Sequence, residues 1–130
     1  MLCSISIRSF VLIDRLDLEA GPGFTSLTGE TGAGKSIILD ALGAALGATA
    51  NKRSVRAGCD SATVAAEFAM APEHGVWAAL REQGFDVSEA ETLTLKRVIK
   101  ANGPARGFIN DQPASASLLS DIGDMIVEIH

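Results

Sequence analysis

Alternating apolar and polar residues near the N-terminus predict β-strands. Cys3, Ile5 and Ile7 are separated by polar residues, and a period of two is typical of a half-buried strand. A second strand is predicted from about Val11 to Glu19. A Gly-Pro-Gly turn then leads into a short third strand from Phe24 to Thr28.

Two helices are predicted from longer apolar spacings. Residues Ile37 to Leu46 are apolar on nearly every side, with Asp40 as the only charge, which predicts a buried helix that ends at Gly47. A second helix is predicted to open at Pro72 and to end at Gly84. Its apolar side consists of Val76, Trp77 and Leu80.

The second half of the chain predicts antiparallel strands. Residues Thr92 to Lys100 alternate strictly, and Asn102-Gly103 is a hairpin signal that returns the chain from Arg106 to Asn110. The inward positions of the first of these strands are Leu93, Leu95 and Ile99, and its outward positions are Thr94, Lys96 and Lys100. An earlier strand is predicted by the alternation of Val64, Ala66, Phe68 and Met70.

The end of the chain predicts a short helix near Ser115 to Ile122 and a final strand from Met125 to His130. Together these elements predict a mixed α/β domain with an antiparallel portion. A length of 130 residues fits one domain, and 47% hydrophobic residues exclude a disordered chain.

Charge and cysteine content exclude several classes of protein. The formal net charge of −5 argues against a basic footprint across the whole domain, although a local one remains open. Cys3 and Cys59 are too few for a disulfide framework, and without neighbouring ligands they do not predict a zinc site. No apolar run approaches the ~18 residues of a membrane span, so no membrane partner is expected.

The strongest chemical signal is a glycine-rich loop. Residues 29–36 fit the pattern G-x-x-x-x-G-K-[ST] without a mismatch: Gly29, Glu30, Thr31, Gly32, Ala33, Gly34, Lys35 and Ser36. Glycines let successive backbone N–H groups converge on phosphate oxygens, and the helix predicted to start near Ser36 points its positive end at the same anion. Lys35 is predicted to bind the β- and γ-phosphates and the Ser36 hydroxyl to bind Mg²⁺. The motif predicts a nucleotide-binding loop.

Hydrolysis needs an acidic residue that this chain does not clearly supply. An acid that helps to hold the metal normally follows a run of about four apolar residues. The nearest candidate is Glu128, which follows three apolar residues and precedes Ile129. Asp40 and Asp14 are weaker candidates. The sequence therefore predicts nucleotide binding but not turnover by this chain alone.

The motifs as a set resemble one family. The loop and the residues after it, Leu27 to Ser36 followed by Asp40 to Gly43 and Leu46-Gly47, resemble the RecN family of bacterial DNA double-strand-break repair ATPases. That family is related to the structural-maintenance-of-chromosomes (SMC) proteins and has an ABC-type ATPase head. Three further segments support the resemblance: Ile7 to Phe10, Val55 to Gly58 and Arg106 to Asn110. The last two residues, Ile129-His130, support it as well.

This resemblance implies a P-loop NTPase fold, namely the N-terminal lobe of an ABC/SMC-type ATPase head with a mixed sheet and an antiparallel β-subdomain. It implies that residues 1–130 stop just before the Q-loop glutamine, so that the coiled coil, the C-terminal lobe, the signature motif and the Walker B acids are absent. It also implies ATP and Mg²⁺ as cofactors, and DNA and a second head of a homodimer as partners of the intact protein. The expected location is the bacterial cytoplasm, at the nucleoid.

Other residues carry weaker expectations. Lys52, Arg53 and Arg56 form a local basic cluster that is either a solvated loop or a weak DNA contact. The resemblance implies that Arg56 approaches the nucleotide phosphates and couples ATP turnover to DNA. It also places Arg8, Ser9 and Phe10 where related heads line the nucleotide site, although core packing is the simpler role for Phe10.

Several residues are predicted to have structural roles only. Arg106 and Asn110 are expected at an edge and a turn, and His74 on the surface in the first turn of its helix. Trp77 is expected in the core. His130 ends the chain, so the sequence shows none of its downstream context.

Two alternatives to the family function stay open from the residues alone. The chain could be a small stand-alone P-loop kinase or NTPase, which would need its own acid. It could also be a structural fragment that binds no nucleotide.

Overall fold

The computed structural model describes residues 2–19, 32–48, 52–87 and 92–127 of the chain. Its strands are β1 (Leu2–Phe10), β2 (Ile13–Glu19), β3 (Ser61–Ala69), β4 (Thr92–Lys100), β5 (Arg106–Ile109) and β6 (Gln112–Ala114). Its helices are α1 (Gly32–Ala45), α2 (Gly75–Glu82) and α3 (Ala116–Val127), and a 3-10 turn covers Lys52–Ser54.

The described strands form one antiparallel sheet in the order β2-β1-β3-β4-β5-β6. Its register places apolar side chains in a continuous row across five strands. Leu18 pairs with Ile5, Ile5 with Ala66, Ala66 with Leu95, and Leu95 with Ile109. Because side chains alternate along each strand, such rows give the sheet one apolar face.

The helices cover that apolar face. Helix α1 packs against β1, β3 and β4, while α3 packs against β5 and α2. Ile5, Ile7 and Val64 of the sheet are at most 1% exposed, as are Trp77 of α2 and Leu119 of α3. The core therefore lies between the sheet and the helices, and α1 is held in it by packing.

Most of the predicted strands are confirmed. The strand over Thr92–Lys100 has the predicted bounds, and the alternating residues of β3 are buried as expected. Strand β2 starts at Ile13 rather than Val11, because Val11 and Leu12 form the turn after β1 and are 37% and 81% exposed. The predicted strand Phe24 to Thr28 lies outside the described residues.

The first two helices are confirmed with corrections. Helix α1 is buried on one face only, since Leu39 is 53% exposed and Asp40 is exposed as well. Helix α2 begins at Gly75 rather than Pro72, because the His74 Nδ1 accepts a hydrogen bond from the Val76 N–H at 2.9 Å and caps the helix. His74 is half-buried rather than a surface residue.

The predicted final strand is wrong over residues Met125 to Val127. These residues continue α3, because Leu119, Ile122 and Ile126 recur at helical spacing and are all buried. Glu128 and His130 lie outside the described residues. The apolar run before Glu128 is therefore part of a helix, which removes the main argument for Glu128 as a Walker B acid.

The predictions for Trp77 and Asn110 agree with the structure. Trp77 is 1% exposed and its Nε1 donates to the Ala71 carbonyl at 2.9 Å. Asn110 lies in the β5–β6 turn with φ of 48°, and its Oδ1 accepts from the Thr94 N–H at 2.7 Å. None of the described helices has the length and apolarity needed to span a membrane.

Candidate functional site

The glycine-rich loop runs directly into helix α1. Gly29, Glu30 and Thr31 lie outside the described residues, whereas Gly32 to Ser36 form the first five residues of α1. The helix thus starts earlier than Ser36, the predicted first residue. The first backbone N–H groups of an α-helix have no partner within the helix and carry its positive dipole end. The backbone of Gly32 to Ser36 therefore has the form that a phosphate group requires at a helix N-terminus.

The C-terminal end of α1 is closed by a complete Schellman motif. The Gly47 N–H donates to the Ala44 carbonyl at 3.2 Å, and the Ala48 N–H donates to the Gly43 carbonyl at 3.0 Å. Gly47 has φ of +93°, a left-handed conformation that glycine adopts without strain. Gly47 thus ends the helix as predicted.

Arg97 holds the same end of α1 to the sheet. It lies on the inward face of β4 and is only 5% exposed, the one buried charged side chain among the described residues. Its Nη1 donates to the Ala44 carbonyl at 3.3 Å and to the Ala48 carbonyl at 3.2 Å. Burial lowers the pKa of the guanidinium, which nevertheless stays protonated. A cation at the negative end of the helix dipole stabilises α1.

Arg97 was missed by sequence reasoning, although a signal was present. The outward and inward positions of β4 alternate, and Arg97 occupies an inward position between Leu95 and Ile99. A charged residue at an inward position needs buried polar partners. Those partners come from a helix that precedes Arg97 by about fifty residues, so the alternation alone could not name them.

The structure brings together the predicted segments Arg8 to Phe10 and Val55-Arg56. The Val11 N–H donates to the Ser54 carbonyl at 2.7 Å, and the Arg56 N–H donates to the Ser9 carbonyl at 2.8 Å. Phe10 forms a β-bridge with Val55 and is 2% exposed, so its core role is confirmed. A hollow of about 300 Å³ beside this junction is bordered by Phe10, Ser54 and the exposed side of α1.

Ser9 and Val11 both have positive φ, of 53° and 52°. This conformation is costly for a β-branched residue such as Val11. The backbone contacts to Ser54 and Arg56 hold the turn in place.

Arg8 itself points to the other side of the sheet and forms an ion pair. Its Nη1 lies 2.9 Å from Asp17 Oδ1, and its Nη2 donates to Asp17 Oδ2 at 3.2 Å. The hydrogen bond from Arg8 holds the pKa of the Asp17 carboxyl below its usual value, and hydrogen bonds from Ser6 and Arg15 act in the same direction. The described side-chain contacts of Arg8 thus tie β1 to β2.

We expect Arg8→Ala to raise the pKa of Asp17 toward its unperturbed value of 3.8. A pKa lowered by folding stabilises the folded state above the unfolded pKa, and this contribution disappears as pH falls through the folded pKa. Carboxyl ¹³C NMR titration of Asp17 measures the shift, and Arg15→Ala is the matched control with a smaller expected effect. An unchanged Asp17 titration in Arg8→Ala would show that the pair is absent in solution.

The remaining candidates are the basic cluster and the two cysteines. Lys52 and Arg53 are exposed in the 3-10 turn, whereas Arg56 is half-buried. Cys3 and Cys59 are both half-buried. Within the described ranges no group of three or more His, Cys, Asp or Glu side chains is arranged to hold a metal ion.

Comparison with protein families decides where the chain belongs. Residues 4–102 match the family model described as AAA domain. The chain belongs to this AAA domain family. Over all of its residues, the chain is 42% identical to the DNA repair protein RecN of Xylella fastidiosa (strain 9a5c) and 37% identical to that of Vibrio cholerae. The resemblance predicted from the motifs is confirmed.

The chain spans about a quarter of the length of these relatives, 23% of each.

Solved structures show the same fold. A structure from work on ATP-driven dimerization and DNA-stimulated activation of SMC ATPases aligns with a TM-score of 0.71 at 21% identity, over 97% of this chain and 79% of that one. An SMC head domain from Thermotoga maritima aligns with a TM-score of 0.61 at 18% identity, over 92% and 41%. The predicted SMC-type head fold is confirmed.

Proposed function

We propose that the chain is the ATP-binding part of a RecN-like ATPase that acts in recombinational repair of DNA double-strand breaks. The observation that carries the proposal is the helical backbone of Gly32 to Ser36, placed directly after the first residues of an unbroken P-loop motif. The similarity to RecN proteins over the whole chain supports the same function.

The residues of the loop have distinct roles in this proposal. The backbone N–H groups of residues Gly29 to Gly34 bind phosphate oxygens, and Lys35 binds the β- and γ-phosphates of ATP. The Ser36 hydroxyl binds Mg²⁺, which neutralises charge on the phosphates. Arg97 and the Schellman motif fix the opposite end of α1, so the helix presents its N-terminus from a rigid position.

The wider architecture is also part of the proposal. Residues 1–130 form the N-terminal lobe of a head whose coiled coil and C-terminal lobe lie in the rest of the protein. ATP binding brings this head together with the head of a second copy, and hydrolysis separates them. Arg56 couples the nucleotide to DNA, and Lys52 and Arg53 contact DNA phosphates. The protein acts in the bacterial cytoplasm at the nucleoid.

A stand-alone kinase or NTPase is not favoured. The relatives that match the whole chain share the name DNA repair protein RecN. The apolar run that would have led into a metal-binding acid is helical over Met125 to Val127. A measured affinity for ATP distinguishes the proposed function from that of a fragment that binds no nucleotide.

We expect the purified 130-residue chain to hydrolyse ATP at a negligible rate, with or without DNA, because its sequence has no clear Walker B acid after an apolar strand. A coupled phosphate-release assay measures the rate, with Lys35→Ala as the background control. A metal-dependent rate in the ordinary enzyme range of about 1–10³ s⁻¹ that disappears in Lys35→Ala would show that the chain is a complete NTPase and would overturn the proposal that it is one lobe of an ATPase head.

A further inference from the structure

The outer face of β4 and β5 carries three cations and one aromatic ring. Buried residues alternate along β4, so Lys96, Val98 and Lys100 point away from the helices. Arg106 and Phe108 of β5 lie beside them, because Lys96 pairs with Phe108 and Val98 pairs with Arg106 in the antiparallel register. These five residues are called the basic strand face below.

The basic strand face is open among the described residues. The described helices pack on the opposite side of the sheet. Arg106 is exposed, and the other members of the face are half-buried, as expected for side chains on a solvent-facing sheet. The neighbouring positions on β3 are the small residues Thr63 and Ala65. The surface beside the cations is therefore low and flat enough for an extended ligand.

The three cations have no acidic partner among the described residues. The ion pairs between the described residues join Arg8 and Arg15 to Asp17 on β1 and β2. They do not involve the cations of β4 and β5. The acidic residues that border the face are Glu67, which pairs with Thr94, and Asp60, which borders a hollow with Lys100. A concentration of unpaired positive charge within a chain of net charge −5 is complementary to a polyanion.

The aromatic ring adds a second kind of contact. The Lys96 Nζ lies over the face of the half-buried Phe108 ring, 5.6 Å from its centroid. A cation–π contact at an exposed site is weaker than the stacking of a nucleobase on an aromatic side chain. A base can therefore displace Lys96 from the ring, and the long lysine side chain then reaches a phosphate.

A hollow of about 490 Å³ lies at the β5–β6 edge of the sheet. It is bordered by Arg106 and Phe108 of the basic strand face and also by Arg97, which lies on the inward face.

We propose that the basic strand face binds single-stranded DNA. A base stacks on Phe108, and phosphates of the same strand contact Lys96, Lys100 and Arg106. The choice of DNA rests on the proposed repair function, whereas the single-stranded form follows from the ring, since paired bases do not expose their faces for stacking. This face is distinct from the cluster of Lys52 and Arg53.

Fluorescence anisotropy with a labelled oligothymidine of about 15 nucleotides tests the proposal on the 130-residue chain without nucleotide. Three phosphate contacts predict a slope of about −2 in log affinity against log salt. We expect Phe108→Leu, which keeps an apolar side chain on the strand, to weaken binding about tenfold. Lys96→Glu and Lys100→Glu should weaken it and flatten the salt slope.

Arg81→Glu is the matched control, because Arg81 is an exposed arginine on α2, on the other side of the sheet. It makes the same change of charge and should leave DNA binding unchanged. Circular dichroism melting shows that each variant folds. The proposal is overturned if the chain binds no oligothymidine at low salt, if Phe108→Leu binds as well as the wild type, or if only Lys52→Glu and Arg53→Glu reduce binding. Since ATP is absent from this assay, a failure to bind nucleotide does not affect its result.

Discussion

Replacing Gly47 with alanine is expected to destabilise the chain by about 3 kcal/mol, the sum of a left-handed backbone penalty and overpacking. Gly47 has φ of +93°, and a Cβ atom added there would lie 2.5 Å from the Ser120 nitrogen and 2.9 Å from the Ala116 carbonyl oxygen. Both atoms belong to the backbone of α3, which cannot move aside as the end of a flexible side chain can. The alanine therefore forces α1 and α3 apart.

Gly84 provides a matched control for this substitution. It ends α2 in the same Schellman motif, with the Gly84 N–H donating to the Arg81 carbonyl and the Phe85 N–H to the Leu80 carbonyl, both at 3.0 Å. Its φ is +87°, but an added Cβ would meet nothing within 4 Å. Gly84→Ala should therefore cost only the backbone penalty, about 1 kcal/mol.

Urea denaturation of the wild type and both variants measures the free energies of unfolding. The difference between the two variants isolates the close approach of α1 to α3, because the backbone penalty is common to both. Equal losses for Gly47→Ala and Gly84→Ala would mean that the contact between these helices is absent in solution.

The contact matters because it fixes the end of α1 that lies opposite the P-loop. Gly123 of α3 faces the same region, where an added Cβ would lie 3.1 Å from the Leu46 carbonyl oxygen. Together with the hydrogen bonds from Arg97, these contacts hold the C-terminus of α1 between β4 and α3. The phosphate-binding end of the helix is thereby positioned by structure far from it in the sequence.

Much of the fold could be predicted because its elements follow simple periods. Strand β4 is a strict alternation with one buried face, so its bounds were predicted correctly. Gly47 and Gly84 mark helix ends because the left-handed position of a Schellman motif favours glycine. These are local signals, and each is contained within a few residues.

The secondary-structure prediction was wrong where a local apolar pattern fits both a strand and a helix. The run Met125-Ile126-Val127 is apolar and β-branched in part, and a short run of this kind fits a strand or a helix equally well. Its helical state follows from packing, since Ile126 is buried in the core next to Ile122 and Leu119. That packing depends on β5 and α2, which a reading of the local sequence does not bring together.

In the candidate site, too, the local features could be predicted from the sequence and the tertiary contacts could not. The P-loop motif is contiguous, so the sequence contains all of it, including the residues with predicted contacts to phosphate and Mg²⁺. The approach of Ser9 to Arg56 and the contact of Arg97 with α1 join segments that are distant along the chain. Such contacts depend on tertiary structure. The sequence analysis therefore named Ser9 and Arg56 without their contact, and it did not name Arg97 at all.

Lys35→Ala is expected to cause the largest loss of function, because it removes the one cation of the P-loop. Charge-assisted hydrogen bonds to phosphate contribute about 1.5–3 kcal/mol, so the affinity for ATP should fall roughly tenfold to a hundredfold. Lys52→Ala is the matched control, since Lys52 is a lysine in the exposed 3-10 turn after α1 and outside the loop. It should bind ATP with nearly the wild-type affinity.

Isothermal titration calorimetry of the 130-residue chain with ATP and Mg²⁺ is the most direct test that residues 29–36 bind a nucleotide. The account predicts a measurable dissociation constant for the wild type and for Lys52→Ala, and a large loss of affinity in Lys35→Ala. An absence of binding by the wild type, or an equal affinity in Lys35→Ala, would contradict it.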